Sequence, residues 1–296
     1  MNFPYLPPSP VISILLPCKN GGTALSAALN SVLSQTFSDF ELIFLDDGST
    51  DGSLDTVKSF SDPRIRIVTD GTSKGLAARL NQGVSLASGK YIARMDADDV
   101  CFPDRLAKQV AYLEIHPEID LLGCRAVVFR NPANVVGLLP FAATHQALCS
   151  QTWRNIPLPH PTWMGRREWF LRYPYRYPEV LRAEDQELLL RAHSSSRYAC
   201  LDDILLGYRQ GKFQFRRTFL ARRTLCWAQL KFFWGQGDWI SFLMALGSFL
   251  VKSAIDAIAS IPGGESLYFR RMGEQPSHDA VEQLQASLAK VKVASS

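Results

Sequence analysis

The chain has 296 residues, and its 47% hydrophobic and 11% aromatic content is enough for one large α/β domain plus an appendage. Its six cysteines are scattered without CxxC pairs or zinc-ligand spacing, which argues against a disulfide framework or a cysteine metal cage and suits a reducing cytosol. The formal net charge of +4 is too small to indicate a nucleic-acid partner, and residues 1–10 form a lead-in without the features of a secretory signal.

Short apolar runs alternate with segments of helical spacing through the first hundred residues. The strand candidates are residues 11–16, 40–45, 64–69 and 90–95. The helix candidates between them are residues 24–35, 51–60 and 75–87. This alternation predicts an α/β fold with a Rossmann-like, mostly parallel sheet, right-handed crossovers and flanking helices.

Polar residues follow three of these strands where they end. They are Pro17 to Asn20 after the first strand, Asp46 and Asp47 after the second, and Asp96 to Asp99 after the fourth. Because ligands of such sheets bind at the carboxyl ends of the strands, we expect these residues to face one crevice.

The stretch YIARMDADDV places three carboxylates, Asp96, Asp98 and Asp99, within four positions. Like charges this close repel unless a cation or positive donors neutralise them. In an extended segment Asp96 and Asp98 project to the same side and Asp99 points away, which suits Mg²⁺ or Mn²⁺ held together with a diphosphate. The alternative is a solvated turn whose aspartates cap the next helix.

The stretch Asp46-Asp47-Gly48-Ser49 also leaves two interpretations open. It is either an ordinary βα turn or a place where a carboxylate accepts hydrogen bonds from a base N–H or a ribose hydroxyl.

The second half of the chain is richer in strands and then becomes helical. Its strand candidates are residues 119–129, 161–166 and 198–207, and its helix candidates are residues 103–116 and 184–193. In RAEDQELLLRA, Glu184 and Asp185 begin a helix, where the helix dipole favours carboxylates in any protein. Residues 274–296 are amphipathic and are expected to form a weakly anchored, flexible tail.

Taken in order, these motifs resemble those of the family 2 glycosyltransferases, which have the GT-A fold, over about residues 10–210. The motifs are VISILLPCKNG, SVLSQTFSDFELIFLDDGSTDGS, GLAARLNQGVSLASGKYIARMDADDVCFPDRL and RAEDQELLLRA. The resemblance implies a GT-A domain at residues 11–211. Residues 11–100 would be its nucleotide-binding half and residues 101–211 its acceptor half.

The resemblance assigns roles to individual residues on the donor side. Its DxD-type motif implies a divalent cation, Mn²⁺ or Mg²⁺, on the donor diphosphate, with Asp98 as metal ligand and Asp96 as its partner near metal or ribose. Asp47 would meet the nucleobase, and Pro17 would line that pocket. Lys19 stands where relatives often carry an aromatic residue. Lysine pairs with phosphate or lies along the base but has no ring to stack, so the identity of the base stays open.

On the acceptor side the resemblance implies that Asp185 is the general base, which deprotonates the attacking hydroxyl. A helix N-terminus lowers the pKa of a carboxylate, so the strength of this base must come from burial or from a tight hydrogen bond with the acceptor. His160 lies along the acceptor side, where a structural hydrogen bond and a direct role are both open. Trp153 and Trp163 either stack on sugar faces or pack in the core.

The function implied is inverting transfer from a nucleotide-diphosphate sugar to the hydroxyl of a glycan or lipid-linked acceptor, in cell-surface polysaccharide or glycolipid synthesis. A sugar-phosphate nucleotidyltransferase is the nearest enzymatic rival, suggested by NGGTAL at residues 20–25, but the glycine-rich loop with its following arginine is missing. A catalytically idle sugar-nucleotide-binding scaffold is the other rival. The presence of Asp96, Asp98 and Asp185 argues against it.

Residues 212–296 form the predicted helical appendage. No acidic residue lies between Asp203 and Asp238, while basic and aromatic residues are interleaved there, a composition suited to an interfacial helix on anionic lipid. Residues 239–251 are uncharged for only 13 residues before Lys252, short of the ~20 needed to cross a bilayer. We therefore expect a cytoplasmic protein held by residues 212–261 on the inner face of a membrane. The alternative is that these helices pack on the catalytic domain or form a homo-oligomer contact.

Overall fold

The computed structural model describes residues 9–211, 213–261 and 274–289. Its strands are β1 (Ile12–Cys18), β2 (Phe40–Asp46), β3 (Ile65–Val68), β4 (Tyr91–Arg94), β5 (Val100–Cys101), β6 (Leu121–Asn131), β7 (Asn134–Leu138), β8 (Met164–Arg166) and β9 (Tyr198–Arg209). Its α-helices are α1 (Leu25–Leu33), α2 (Ser53–Lys58), α3 (Leu76–Leu86), α4 (Arg105–Ile115), α5 (His145–Leu148), α6 (Arg167–Arg172), α7 (Glu184–Ala192), α8 (Phe215–Gln236), α9 (Trp239–Ala259) and α10 (His278–Ala289).

The strands form one nine-stranded sheet in the order β3-β2-β1-β4-β8-β6-β9-β5, with β7 paired to β6. Strands β1 to β4 are mutually parallel, as their alternation with helices predicts. β8 pairs antiparallel with β4 and β6, whereas β6 and β9 run parallel. The prediction of a mostly parallel α/β sheet is therefore confirmed for the first half, and antiparallel strands extend it in the second.

Strand β1 is buried at every position because helices cover both faces of the sheet. Ile14 and Leu16 pack in one core cluster with Leu29 of α1. The intervening Leu15 packs in a second cluster with Leu80 of α3. Since successive side chains of a strand point to opposite faces, two apolar layers explain why the run VISILL shows no polar alternation.

The segment after β4 differs from the extended geometry expected for it. Residues 97 and 98 form a turn, closed by a hydrogen bond from Asp99 N–H to the Asp96 carbonyl of 3.4 Å. Asp99 does point away from its neighbours, into the protein, where its side chain is buried. Asp99 thus differs from Asp96 and Asp98 in burial, but the extended backbone on which the period-two argument depended is not present there.

Helices α8 and α9 form a hairpin at residues 237 and 238. Gly237 adopts a left-handed conformation, and Asp238 caps α9 by accepting a hydrogen bond from Ser241 N–H of 3.0 Å. Deeper in the hairpin the Arg222 guanidinium pairs with the fully buried Asp256 carboxylate, with Nη2 2.8 Å from Oδ1. This ion pair joins the two helices at a position away from the bend.

The hairpin packs on the second half of the sheet domain. Phe233 of α8 and Ala245 of α9 share a small apolar cluster with Leu190 of α7. Gln229 Nε2 donates to the Thr152 carbonyl (2.7 Å), and Lys252 Nζ donates to the Arg154 carbonyl (2.8 Å). The loop at residues 150–156 therefore carries the hairpin.

The last described helix, α10, is anchored more firmly than the expected tail. Its Leu284 is fully buried and packs in a cluster with Phe102 and Phe129. Residues 290–296 of the predicted tail lie outside the described residues.

Gly89 fixes the distance between β1 and the chain that enters β4. A Cβ atom at this position would lie 2.5 Å from Ser13 N and 2.7 Å from the Ile12 carbonyl carbon, both backbone atoms that cannot yield locally. We expect Gly89→Ala to lower the free energy of unfolding by about 1–3 kcal/mol, the usual cost of overpacking. Denaturant unfolding followed by circular dichroism measures this change.

Gly247→Ala is the matched control for this substitution. A Cβ atom at Gly247 meets nothing within 4 Å among the described residues, and alanine favours a helix over glycine. Unfolding at the same denaturant concentration for Gly89→Ala and the parent protein would contradict the close approach at β1.

Candidate active site

The carboxyl ends of β1, β2 and β4 lie side by side because the three strands are adjacent and parallel. Pro17 pairs with Leu45 and Cys18 with Asp46 in the β1–β2 register, and Arg94 ends β4 beside Leu15. The sequence-predicted residues of all three strand ends therefore border one edge of the sheet. Pro17 is buried there, and Lys19 is exposed beyond it.

Asp47 is held by donors from the loop that leads into α3. Its carboxylate accepts hydrogen bonds from Lys74 N–H (2.6 Å), Gly75 N–H (3.0 Å) and Ser73 Oγ (3.0 Å). It also forms an ion pair with Arg79, whose Nε lies 3.1 Å away. Burial acts to raise the pKa of Asp47, but these hydrogen bonds outweigh it and lower the pKa. Asp47 is therefore an ionised carboxylate that fixes this loop.

Lys19 joins the same network from β1. Its Nζ donates to Ser73 Oγ at 2.8 Å, and Ser73 in turn donates to Asp47. The two residues predicted for base recognition are therefore linked through one serine hydroxyl. Arg79, which sequence reasoning missed, also pairs with Asp70 at 2.6 Å and is fully buried. Its signal is an arginine in the otherwise apolar first turn of α3.

The turn after β4 separates its three aspartates by environment. Asp99 is buried and accepts a hydrogen bond from Arg209 N–H (2.7 Å) at Oδ1, while no partner of its Oδ2 is found among the described residues. Asp98 is exposed, and its carbonyl accepts a hydrogen bond from Arg209 Nε at 2.8 Å. Asp96 is partly exposed and forms a 2.6 Å ion pair with Arg94. The end of β9 therefore fixes the turn and leaves the Asp98 carboxylate open.

The charges of this turn act on one another. Desolvation and the charge of Asp96 raise the pKa of Asp98. Burial, with the charges of Asp96 and Asp98, raises the pKa of Asp99 well above its usual range. Carboxylates that resist ionisation together gain from a cation placed between them.

Arg94 is the central residue that sequence reasoning did not identify. Its side chain is 4% exposed, and Nε and Nη1 have no hydrogen-bond partner among the described residues. Its positive charge opposes the larger effect of burial, which raises the pKa of Asp98, Glu184 and Asp185, and its guanidinium forms the ion pair with Asp96. The signal in the sequence is the single basic residue of YIAR, a strand that is otherwise apolar and is buried at every position.

Glu184 and Asp185 open α7 directly after Ala183, which adopts a left-handed conformation with φ of 54°. Burial and the adjacent Asp185 raise the pKa of Glu184 to about 7. Burial also raises the pKa of Asp185, against the opposing effect of the helix N-terminus. For Asp185 the effect of burial on the pKa therefore exceeds that of the helix N-terminus.

Gln186 connects the start of α7, where these acids lie, to the loop at residues 150–156. Its side-chain amide donates to the Ile156 carbonyl (3.1 Å) and accepts from Ile156 N–H (3.0 Å). The start of α7 is therefore tied to residues 150–156.

His160 is buried and lies in a short 3₁₀ segment, His160–Thr162. Its Nε2 is 2.7 Å from the Tyr175 hydroxyl, and its ring contacts Trp163 edge-on. Burial and the charge of Arg94 hold the pKa of His160 well below its usual range, so its ring is neutral. The structure gives His160 a structural hydrogen bond and places Trp163 in the core, while Trp153 contacts the hairpin cluster.

The donor set of this crevice fits a hard divalent cation. Asp98 offers an exposed carboxylate without an ion-pair partner among the described residues, and Asp96 has one oxygen beyond the atom that pairs with Arg94. The orphaned Oδ2 of Asp99 lies in the same turn. Carboxylate oxygens with room for water and phosphate are the coordination that Mg²⁺ and Mn²⁺ prefer.

Comparison with known sequences gives a family. Residues 13–173 match the profile of Glycosyl transferase family 2. The putative glycosyltransferase EpsE of Bacillus subtilis (strain 168) is 42% identical over 123 residues, 40% of this chain and 44% of that protein. The UDP-Glc:alpha-D-GlcNAc-diphosphoundecaprenol beta-1,3-glucosyltransferase WfgD of Escherichia coli is 37% identical over 103 residues, 35% of this chain and 41% of that protein. The matches span less than half the length of these relatives.

Comparison with solved structures concerns the fold. The crystal structure of S. aureus TarS 1-349 superposes with a TM-score of 0.61 at 16% identity, covering 96% of this chain and 91% of that one. The mannosyltransferase PcManGT from Pyrobaculum calidifontis, in complex with GDP-Man and Mn²⁺, gives a TM-score of 0.59 at 17% identity, covering 97% and 87%. Both likenesses extend over nearly all of the chain, and the fold is GT-A.

The family profile covers more than half of the 296 residues, and the strand-end carboxylates lie within the fold that this profile implies. The chain therefore belongs to glycosyltransferase family 2.

Proposed function

We propose that this enzyme moves a sugar from a nucleotide-diphosphate sugar to an acceptor hydroxyl in one inverting displacement that depends on Mn²⁺ or Mg²⁺. The observation that carries the proposal is the position of Arg94. Its charge acts on the Asp96–Asp99 turn and on Glu184 and Asp185 at the start of α7. The groups proposed to hold a cation and those proposed for proton transfer therefore interact with the same buried charge, which supports one site of the kind that a single displacement requires.

The donor is proposed to lie along the carboxyl ends of β1 and β2. Pro17 would line the base pocket, with Asp47 and Lys19 at its polar side. Because the Asp47 carboxylate already accepts bonds from Lys74, Gly75 and Ser73, it would meet the base together with the loop that it fixes. Solved structures with this fold hold donors with different bases, UDP-GlcNAc in S. aureus TarS 1-349 and GDP-Man in PcManGT.

Asp98 and Asp96 are proposed to hold the cation. When bound, the cation neutralises the charge that develops on the departing diphosphate. Arg94 keeps Asp96 in place through the 2.6 Å ion pair, and Arg209 fixes the backbone on which Asp98 stands.

Asp185 is proposed as the general base for the acceptor hydroxyl. Its raised pKa improves its ability to accept a proton, and Glu184 beside it adds negative charge that opposes ionisation of the pair. The neutral His160 and its partner Tyr175 support the wall of this crevice.

The acceptor is proposed to be a glycan or a lipid-linked sugar in cell-surface polysaccharide or glycolipid synthesis. The relative WfgD is named for an acceptor on diphosphoundecaprenol, which supports a lipid-linked class.

We also propose that residues 11–211 form the catalytic domain, divided near residue 100, and that the helical region from 212 onward places the enzyme peripherally at the inner face of a membrane. A homo-oligomer contact is the alternative use of that region.

Product analysis tests this function directly. The protein is incubated with Mn²⁺, one nucleotide sugar at a time and a panel of glycan and lipid-linked acceptors, and the products are identified by mass spectrometry. We expect one donor to give a glycosylated acceptor with the opposite anomeric configuration. Nucleotide sugar formed from a nucleoside triphosphate and a sugar phosphate would instead favour the nucleotidyltransferase. Donor binding without transfer or hydrolysis would favour the idle scaffold.

Asp98→Asn is expected to abolish the Mn²⁺-dependent part of donor binding while the protein stays folded. The substitution removes a hard anionic ligand with little change in volume, at a side chain without an ion-pair partner among the described residues. Calorimetric titration of the donor with and without Mn²⁺ measures the effect. Asp39→Asn, at an exposed aspartate before β2, is the control. An unchanged response to Mn²⁺ in Asp98→Asn would remove this residue from the metal site.

Asp185→Asn is expected to lower transfer turnover by about 10²-fold or more while donor affinity is retained, the usual scale of general-base catalysis. In the parent enzyme, turnover should fall as the pH drops through the range in which Asp185 takes up a proton, and burial moves that range above the usual one of an aspartate. Glu184→Gln removes the neighbouring charge and should move this fall to lower pH. Turnover measured from pH 5 to 9 (roughly the range over which the pair titrates) separates the two variants. If Asp185→Asn keeps normal turnover, another group takes the proton.

A further inference from the structure

The α8–α9 hairpin carries most of the large apolar side chains that the described protein exposes. Of 17 such side chains, 13 lie between Phe215 and Ile261. On α9 they cover more than one side of the helix, and we call them the hairpin face: Trp239, Ile240, Leu243, Met244, Leu246, Leu250, Val251, Ile255 and Ile258. A contiguous apolar surface of this kind marks a contact with another molecule or a membrane.

Helix α8 adds charge to this apolar surface. Arg216, Arg223, Trp227, Lys231 and Trp234 are all exposed, and their spacing of three, four or seven residues places them on one side of the helix. Lys231 Nζ lies 5.2 Å from the centre of the Trp227 ring. Basic and aromatic side chains thus alternate along one stripe.

The stripe and the hairpin face meet at the bend of the hairpin. Trp234 at the end of α8 and Trp239 at the start of α9 pack with ring centres 4.7 Å apart, and both are more than half exposed. The exposed sides of the two helices are therefore continuous. Tryptophan is enriched where an apolar phase meets water, since its ring is apolar and its N–H needs a polar partner.

We propose that this surface binds an anionic lipid bilayer, with the hairpin lying in the interface rather than crossing it. Charge complementarity selects this occupant. Between Phe215 and Ile261 there are six basic residues and two acidic ones. Of the two acids, Asp256 is buried in its ion pair with Arg222 and Asp238 caps α9. A second copy of the chain would bring the same positive charge to the contact, which disfavours self-association.

The length of α9 does not show whether the hairpin lies in the membrane interface or crosses the bilayer, because Trp239–Ala259 is long and apolar enough to span a bilayer. The uncharged run of 13 residues therefore underestimated the length of this apolar helix. The ion pair decides instead, because a spanning α9 would have to leave α8 and carry Asp256 into hydrocarbon without Arg222. The bonds from Gln229 to Thr152 and from Lys252 to Arg154 would also break. The hairpin is held against the catalytic domain, and among the described residues its outer side remains exposed.

This contact deepens the proposed function, since it would bring the crevice to a lipid-linked acceptor, but it is tested without donor or acceptor. The full chain is mixed with vesicles of phosphatidylcholine alone or of phosphatidylcholine with phosphatidylglycerol and floated through a density gradient. We expect binding to the anionic vesicles, weakening in high salt, and release of the bound protein by alkaline carbonate.

Two pairs of substitutions divide the surface into its apolar and charged parts. Leu243→Glu with Leu250→Glu should lower the partition coefficient at least about tenfold, since both side chains leave the acyl boundary. Ile115→Glu with Leu171→Glu makes the same change at exposed side chains outside the hairpin and should leave binding unchanged. Arg216→Gln with Arg223→Gln should cost about fivefold per arginine on anionic vesicles only.

Several outcomes would overturn the proposal. One is a full chain that stays off anionic vesicles and is a stable dimer by light scattering, because a second copy would then cover the hairpin face. Resistance of the bound protein to alkaline carbonate would show a spanning helix instead. Equal binding by the Leu243→Glu, Leu250→Glu variant and its control would remove the hairpin face from the contact. Glycosyl transfer measured on the same preparations reports separately on the proposed function.

Discussion

A buried guanidinium organises the crevice of this enzyme. Arg94 ends a strand at the centre of the sheet with its side chain almost wholly removed from water, and a positive charge in that position is tolerated only among negative groups. The acids from the β4 turn and from α7 meet that requirement, although about 90 residues separate them in sequence. Without the positive charge of Arg94, several negatively charged carboxylates would face one another. The geometry of the site and the stability of its charges therefore depend on the same residue.

Much of the fold follows from the sequence because apolar runs and helical spacing report local burial. The four parallel strands, the helices between them and the helix that begins at Glu184 lie where these patterns place them. Strand-end carboxylates were found for the same reason, since parallel strands direct their ends to one edge. The resemblance added what spacing cannot give, namely which of these acids share a task.

What the sequence did not give depends on tertiary contacts. Nothing local to KYIARM says that its arginine faces acids from the other half of the chain. The turn at residues 96–99 follows from bonds made by Arg209, more than 100 residues later. The partners of Asp47 come from the loop before α3, so a residue predicted to contact the base also has a structural role. Leu284 fits a core position that amphipathic spacing at the end of the chain did not distinguish from an exposed tail.

The loop at residues 150–156 receives bonds from two directions. Gln186, next to the acids of α7, holds Ile156 by both its backbone groups, while Gln229 and Lys252 of the hairpin hold Thr152 and Arg154. Whatever displaces the hairpin must act on the same short segment that positions the start of α7. Thermodynamic linkage makes such a connection reciprocal. If binding to a surface favours one arrangement of this loop, an acceptor that favours the same arrangement strengthens binding to the surface. The surface strengthens acceptor binding by the same free energy. An enzyme built in this way would remain attached longest where its substrate is most abundant.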